Sequence, residues 1–232
     1  NNIRQQVLTD VCVRPPPPTS TSLDDDKDTK TRKALIKNID LRIRKGAHTV
    51  IRGQNGVGKS SLFRTILGLW SPADPSSSTR IELPSSIFVL PQTSYFPSDA
   101  SLRSQITYPE PAHTIERETA STLLRELGLA DIETRYGLDG EGDVDWTNEL
   151  SGGQKQRLAW CRLFFRSPEF AFLDESASAV SKDIAIRLYK WAKERGITLI
   201  SISHSDEIDN VHDNALDLEL GGKYELVSLN SN

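Results

Sequence analysis

Eight residues, Gly53-Gln54-Asn55-Gly56-Val57-Gly58-Lys59-Ser60, constrain the fold of this 232-residue chain more than any others. The three glycines permit a tight backbone turn, and the residues on either side say what the turn connects. Thr49-Val50-Ile51 before it is an apolar run that reads as a buried strand. Leu62, Ile66 and Leu69 after it recur at helical spacing. The octapeptide fits G-x-x-x-x-G-K-[ST], and strand, loop, helix is the context that pattern requires. In such a loop backbone N–H groups curl around phosphate oxygens at a helix N-terminus. Lys59 supplies charge to the β- and γ-phosphates and Ser60 is placed to ligate Mg²⁺. A plain glycine-rich turn would leave the lysine and the hydroxyl as accidents.

Two further segments extend the pattern. Phe170-Ala171-Phe172-Leu173-Asp174-Glu175 is an apolar strand ending in adjacent carboxylates. At the end of a strand that feeds a phosphate site, Asp174 can hold the metal's water shell and Glu175 can orient or deprotonate an attacking water. Alone, such a pair is as often a solvated turn. Leu150-Ser151-Gly152-Gly153-Gln154 opens the apolar-periodic segment Leu158, Cys161, Leu163 and Phe164, which reads as a helix. A hydroxyl and two glycines at that helix start make a second anion cradle. One nucleotide does not need two cradles, so the second is expected to close over the γ-phosphate held by another subunit. An ordinary Ser-capped helix is the simpler alternative.

In their chain order of phosphate loop, Leu150–Gln154 and carboxylate strand, the three segments resemble the nucleotide-binding domains of ATP-binding cassette (ABC) transporters, and the resemblance covers nearly everything after about Lys33. It implies an α/β P-loop NTPase (RecA-like) core with a mixed sheet plus an inserted α-helical subdomain. Gly53 to Ser60 corresponds to Walker A, Phe170 to Asp174 to Walker B and Leu150 to Gln154 to the signature. The implied phosphate contacts are Gly53, Gln54, Asn55, Gly56, Val57, Gly58, Lys59, Ser60 and Ser61, with Ser151, Gly152, Gly153 and Gln154 of the signature. Ser60, Gln92 and Asp174 fall to Mg²⁺. Gln92, after the apolar run Ile87 to Leu90, is similar to the Q-loop glutamine that senses metal and water, and His204, after Ile197 to Ser203, to the switch histidine. Lys59, Gln92, Glu175 and His204 are the implied catalytic set, ATP and Mg²⁺ the cofactors. The implied mechanism is a sandwich of two cassettes, identical or different, around two Mg·ATP, reopened by hydrolysis.

Local sequence narrows the resemblance. Gly68-Leu69-Trp70, Ser101-Leu102-Arg103, Tyr108-Pro109, Asp145-Trp146 and Ser178-Ala179-Val180-Ser181 look like subfamily D. Those are the peroxisomal fatty-acyl-CoA half-transporters and their lysosomal cobalamin-associated relative; bacterial peptide-uptake half-transporters share part of the pattern. The resemblance therefore implies transport of fatty acids or fatty-acyl-CoA from the cytosolic face of a peroxisomal membrane, with lysosomal or bacterial inner membranes as alternatives. Three departures stand out. No Phe, Tyr or Trp precedes Phe63, so adenine has no upstream aromatic to stack on and is expected near Val11 and Val13 or on the partner chain. Ser181 stands where the family's D-loop usually has Asp, and the signature ends in Gln154 where the subfamily often has Glu.

The formal net charge of −4 gives no basic surface for nucleic acid. Cys12 and Cys161 make no disulfide framework and read as reduced core thiols. No run of about eighteen apolar residues is present, so no segment inserts in a bilayer. With no Met in the chain, it reads as a fragment whose transmembrane domain precedes Asn1; a soluble ATPase with a separate permease is the alternative. A translation ATPase would bring a second cassette, and a chromosome-maintenance ATPase long heptads; neither occurs here.

The whole chain, 1–232, is expected to be one cassette. Residues 1–92 and 161–232 form the core with antiparallel edge strands, and 93–160 the helical signature subdomain. Val7 to Val13 reads as an edge strand, continued into the sheet by Lys33 to Ile43 and His48 to Arg52. Residues 15–32, with four prolines and Asp24-Asp25-Asp26-Lys27-Asp28, read as a disordered insertion, and 71–79 as a Ser/Pro-rich loop. Ile115, Leu123, Leu124 and Leu127 line a helix stopped at Gly128. Ile184, Leu188 and Trp191 line another that ends at Gly196.

Overall fold

A computed structural model describes residues 5–13, 35–72, 80–140, 144–203 and 206–229. Its strands and helices run β1 (Gln5–Val13), β2 (Ile36–Arg44), β3 (Thr49–Arg52), α1 (Lys59–Ile66), β4 (Arg80–Glu82), β5 (Ile87–Leu90), α2 (Leu102–Thr107), α3 (Arg117–Glu126), α4 (Ala130–Tyr136), α5 (Trp146–Glu149), α6 (Gly152–Arg166), β6 (Phe170–Asp174), α7 (Lys182–Glu194), β7 (Thr198–Ile202), β8 (Asn214–Leu218) and β9 (Tyr224–Ser228). They form two compact units, Asn1–Ser85 with Thr198–Asn232, and Ser86–Ile197. The expected insertion at 15–32, its acidic run, His204 and most of the 71–79 loop lie outside the described residues.

The first unit holds two sets of strands. In one, β2, β1 and β4 are antiparallel, with Leu8 opposite both Leu41 and Ile81. The expected edge strand β1 is thus the central one, because β4 covers its other side. In the other set β3 lies parallel between β7 and β8, and β9 returns antiparallel to β8. The stretches expected to continue one sheet are therefore divided, β2 to the antiparallel set and β3 to the parallel one. Burial explains the division. β2 alternates, with Ile36, Ile39, Leu41 and Ile43 inward and polar residues outward, and it slips once at Asn38, whose φ is +48°. β3 and β7 are buried nearly throughout, as strands covered on both faces are.

In the second unit β5 and β6 pair in parallel, Ile87 with Phe170 through Leu90 with Leu173, and β6 is buried from Phe170 to Leu173. Around them are α2 to α7. The expected α3 stripe is buried at Leu123 and Leu124, with Ile115 and Leu127 buried just outside the helix, and Gly128 (φ +67°) stops it. On α7 the buried stripe is Ala185, Leu188, Tyr189 and Ala192, spaced i, i+3, i+4, i+7; Ile184 and Trp191 flank it, half-buried. Trp191 instead meets the guanidinium groups of Arg187 and Arg195 at 4.9 and 5.6 Å. Cys161 sits in the core, as expected, whereas Cys12 is only half-buried beside Asn38 Oδ1.

Candidate functional site: a nucleotide cassette

In the first unit β3 runs into the Gly53–Ser60 loop and the loop into α1. Gly53, Gly56 and Gly58 have φ of +140°, +83° and +110°. A Cβ on Gly53 would lie 2.4 Å from Leu218 O, and one on Gly58 3.1 Å from Leu35 Cβ. Glycine is therefore required there by both conformation and space. Lys59 is buried, and its Nζ donates to the carbonyls of Gly53 (2.7 Å) and Gln54 (3.0 Å), which draws the cation over the loop. Val57 is buried as a plug, while Gln54, Asn55 and Gly56 are exposed and Ser60 and Ser61 half-buried at the helix start. A loop that glycine alone can form, closed over by a lysine at a helix N-terminus, fits a polyphosphate.

The expected run of α1 to Leu69 does not hold. The helix ends at Ile66 and Gly68 (φ +72°) follows, with Leu69 N–H turned back to Arg64 O, so Leu69 swings out to 71 % exposure. Val11 and Val13, expected near adenine, have no exposed surface; their partners in the ladder are Ile39 and Ile36, so both belong to the core.

Arg52, at the end of β3, pairs with Asp217 (2.7 Å) and Asp209 (2.5 Å). Its bond to Asp217 and the two carboxylate charges raise its pKa. Two histidines here are structural. His48 Nδ1 accepts from Leu199 N–H (3.1 Å). His212 Nδ1 is 2.8 Å from the Ile208 carbonyl, so that nitrogen carries the proton and Nε2 accepts from Ser201 Oγ at 2.9 Å.

In the second unit β6 delivers Asp174 and Glu175, both half-buried. Glu175 has φ +48°, a left-handed conformation that costs a non-glycine residue on the order of 1–3 kcal/mol and persists only where its surroundings impose it. Gln92, two residues past β5, donates from Nε2 to Glu175 Oε2 at 2.9 Å. The structure therefore brings the expected Q-loop glutamine onto the expected base. The carboxylate of Asp174 is a hard oxygen donor of the kind Mg²⁺ takes, and Gln92 carries an amide oxygen of the same class.

The signature opens α6. Ser151 Oγ accepts from Gln154 N–H (3.2 Å), and Gln154 Oε1 accepts from Ser151 N–H (2.9 Å), a reciprocal capping box. Gln154 Nε2 also reaches Asp131 (3.2 Å). Ser151 and Gly152 are exposed. Gly153 has a steric role: a Cβ there would be 2.9 Å from Ala179 O. The neighbouring Asp145-Trp146 is architectural. Asp145 caps α5 by accepting from Thr147 and Asn148 N–H (3.1 and 3.2 Å), and buried Trp146 donates to Ala100 O (2.8 Å).

The residue pattern did not single out a role for four members of α6. Gln156 and Trp160 bond the loop after Glu175. Arg157 caps α3 through the carbonyls of Leu127 (3.0 Å) and Gly128 (2.6 Å). Arg162 is buried and donates to Gln105 O (2.6 Å), Tyr95 O (2.7 Å) and Gln105 Oε1 (3.1 Å) beneath the rings of Phe96 and Tyr108. Burial lowers its pKa to about 10, which leaves it charged at neutral pH. The sequence held a signal for Arg162, a lone charge inside Leu158 to Phe165, but not for its partners. A cavity of about 280 Å³ lies beside these groups, lined by Gln92, Phe96, Lys155, Gln156, Ser176 and Ser178 among others.

The ABC transporter family profile matches residues 36–178. The chain belongs to the ABC transporter family. It is 34 % identical over 204 residues to the lysosomal cobalamin transporter ABCD4 of Homo sapiens, which covers 85 % of this chain and 34 % of that protein. It is 37 % identical over 197 residues to ATP-binding cassette sub-family D member 3 of Homo sapiens, covering 82 % and 29 %. The chain thus spans about a third of the length of these curated relatives. A bacterial Atm1-family ABC exporter with ATP bound superposes with a TM-score of 0.75 at 21 % identity, covering 98 % of this chain and 39 % of that one, a likeness of fold alone. This is therefore an ABC ATPase domain, a nucleotide-binding α/β fold with a P-loop core, related to sub-family D. No helix among the described residues is long and apolar enough to cross a membrane.

Proposed function

We propose that this ABC ATPase domain powers transport across an organelle membrane as half of a dimer. Each ATP is held by Lys59 and the glycine loop Gly53 to Ser61 of one chain and capped by Ser151 and Gly153 of the other. The observation that carries the reading is the Gln92–Glu175 contact at 2.9 Å. It pairs a carboxylate able to accept a proton from water with an amide able to orient that water. Bound Mg²⁺, held by Ser60, Asp174 and Gln92, would supply charge neutralisation at the β- and γ-phosphates. His204 completes the set as a contact to the γ-phosphate. The exposed Ser151 and Gly152 at the N-terminus of a fifteen-residue helix support a trans role for the signature.

The sub-family D likeness supports, as part of this proposal, a transmembrane domain ahead of this segment, the peroxisomal membrane and a fatty-acid or fatty-acyl-CoA cargo. The relative whose name specifies a lysosomal cobalamin transporter supports lysosome and cobalamin as the second reading. ATPase activity measured at low protein concentration tests the dimer: it should rise with the square of concentration, and a linear rise would overturn shared sites. Stimulation of the full-length protein's ATPase by fatty-acyl-CoA rather than cobalamin decides between the cargoes.

A further inference from the structure

We infer that Gln156 is a positioning residue for Glu175. Both ends of its carboxamide are bonded to one short loop. Nε2 donates to Glu175 O (3.2 Å) and Ser178 Oγ (3.0 Å), and Oε1 accepts from Ala179 N–H (2.7 Å). One helical turn on, Trp160 Nε1 donates to Ser176 O at 3.0 Å. Two side chains on the same face of α6 therefore hold the backbone carbonyls of Glu175 and Ser176. Glu175, whose own carbonyl is one of the two gripped, is left-handed, at φ +48°. A strained non-glycine conformation persists only where neighbours impose it, and its direction aims the side chain that Gln92 meets.

The same helix begins with the signature. The first turn of α6 packs on this loop, a Cβ on Gly152 falling 3.4 Å from Ala179 Cβ and one on Gly153 2.9 Å from Ala179 O. Gln156 is three residues beyond Gly153, so the end of the helix proposed to meet a partner's nucleotide and the clamp on this chain's own Glu175 are one rigid piece. A shift of the first turn reaches Glu175 through Gln156.

This rests on Glu175 acting as the base, and the test separates the two ideas. In the full-length protein, Gln156→Ala is expected to lower kcat about 10- to 100-fold with KM for ATP changed less than about 3-fold, as loss of an interaction acting in the chemical step requires. Gln156→Met, equal in length but unable to bond the loop, should lose as much and guards against misfolding of the alanine variant. In a Glu175→Gln background, Gln156→Ala should add less than about 2-fold, because the group it positions is gone. Wild-type kcat in both single variants, or losses that multiply in the double variant, would overturn the inference. Wild-type turnover of Glu175→Gln alone would instead remove the base assignment, and this inference with it.

Discussion

Gln92 Nε2 donates to Glu175 Oε2 at 2.9 Å, joining the loop after β5 to the end of β6. β5 and β6 are neighbours in register, so these two side chains emerge from adjacent parallel strands at the same end. In parallel α/β sheets that is the end where ligands bind.

If Glu175 is the base, Glu175→Gln slows turnover by roughly 10²- to 10⁴-fold while ATP-bound dimers accumulate. Gln92→Ala, which leaves the carboxylate but removes its orienting amide, should slow it by about 10-fold or more with ATP still bound. Single-turnover hydrolysis and light scattering read both, and wild-type turnover of Glu175→Gln would contradict the assignment.

Gly152 and Gly153 differ sterically. A Cβ on Gly152 meets Ala179 Cβ at 3.4 Å, an ordinary contact, whereas one on Gly153 meets Ala179 O at 2.9 Å. Gly153→Ala must therefore push the loop after Glu175, and is expected to reduce ATPase activity about 10-fold beyond Gly152→Ala. Equal effects of the two substitutions on kcat would show that the loop gives way freely.

Arg162 holds Tyr95 O, Gln105 O and Gln105 Oε1 in a buried site. Arg162→Leu leaves those acceptors unpaired, at roughly 1–3 kcal/mol each before relaxation, so a loss of about 3 kcal/mol is expected. Arg162→Lys keeps the charge but not the fork and should recover part of it. Urea unfolding measures the loss, and hydrogen exchange over 95–105 should rise in the leucine variant.

The two thiols should separate by reactivity. Burial pushes Cys161 up to about 12, whereas Cys12 is half-buried on β1. A thiol reagent at pH 8 is expected to modify Cys12 in the native protein and Cys161 only after unfolding. Because the folded value is raised, the stability due to Cys161 is complete below about pH 9 and falls by about 1.4 kcal/mol per unit as pH rises towards the folded value. Cys161→Ser should flatten that slope in alkaline denaturation.

What could be read along the chain were features whose cause is local. The glycine positions of the phosphate loop were legible because φ of +83° at Gly56 and +110° at Gly58 suits little else. β6 was legible because a strand covered on both faces carries an unbroken apolar run, Phe170 to Leu173, and β3 and β7 because the shorter runs Val50-Ile51 and Leu199-Ile200 mark them. Periodicity misled where a long-range partner decided the outcome. β1 reads as an edge until the short strand Arg80–Glu82 is placed against it. Val11 and Val13 look available to adenine until Ile39 and Ile36 face them. On α7, a one-residue shift of the stripe turned Trp191 towards two arginines.

The sequence by itself determined that this chain carries an ABC ATPase cassette, because its phosphate loop, carboxylate strand and signature are chemical necessities written in contiguous residues. Only the tertiary structure decided what each motif leans on. Gln156 and Trp160 grip the backbone after Glu175, Gly153 makes room for Ala179 O, and Arg162 ties Tyr95 to Gln105. The physical reason is separation along the chain. A hydrogen bond between residues 19 or 67 positions apart, as for Gln156 with Glu175 and Arg162 with Tyr95, leaves no periodic trace, whereas a loop of eight consecutive residues does.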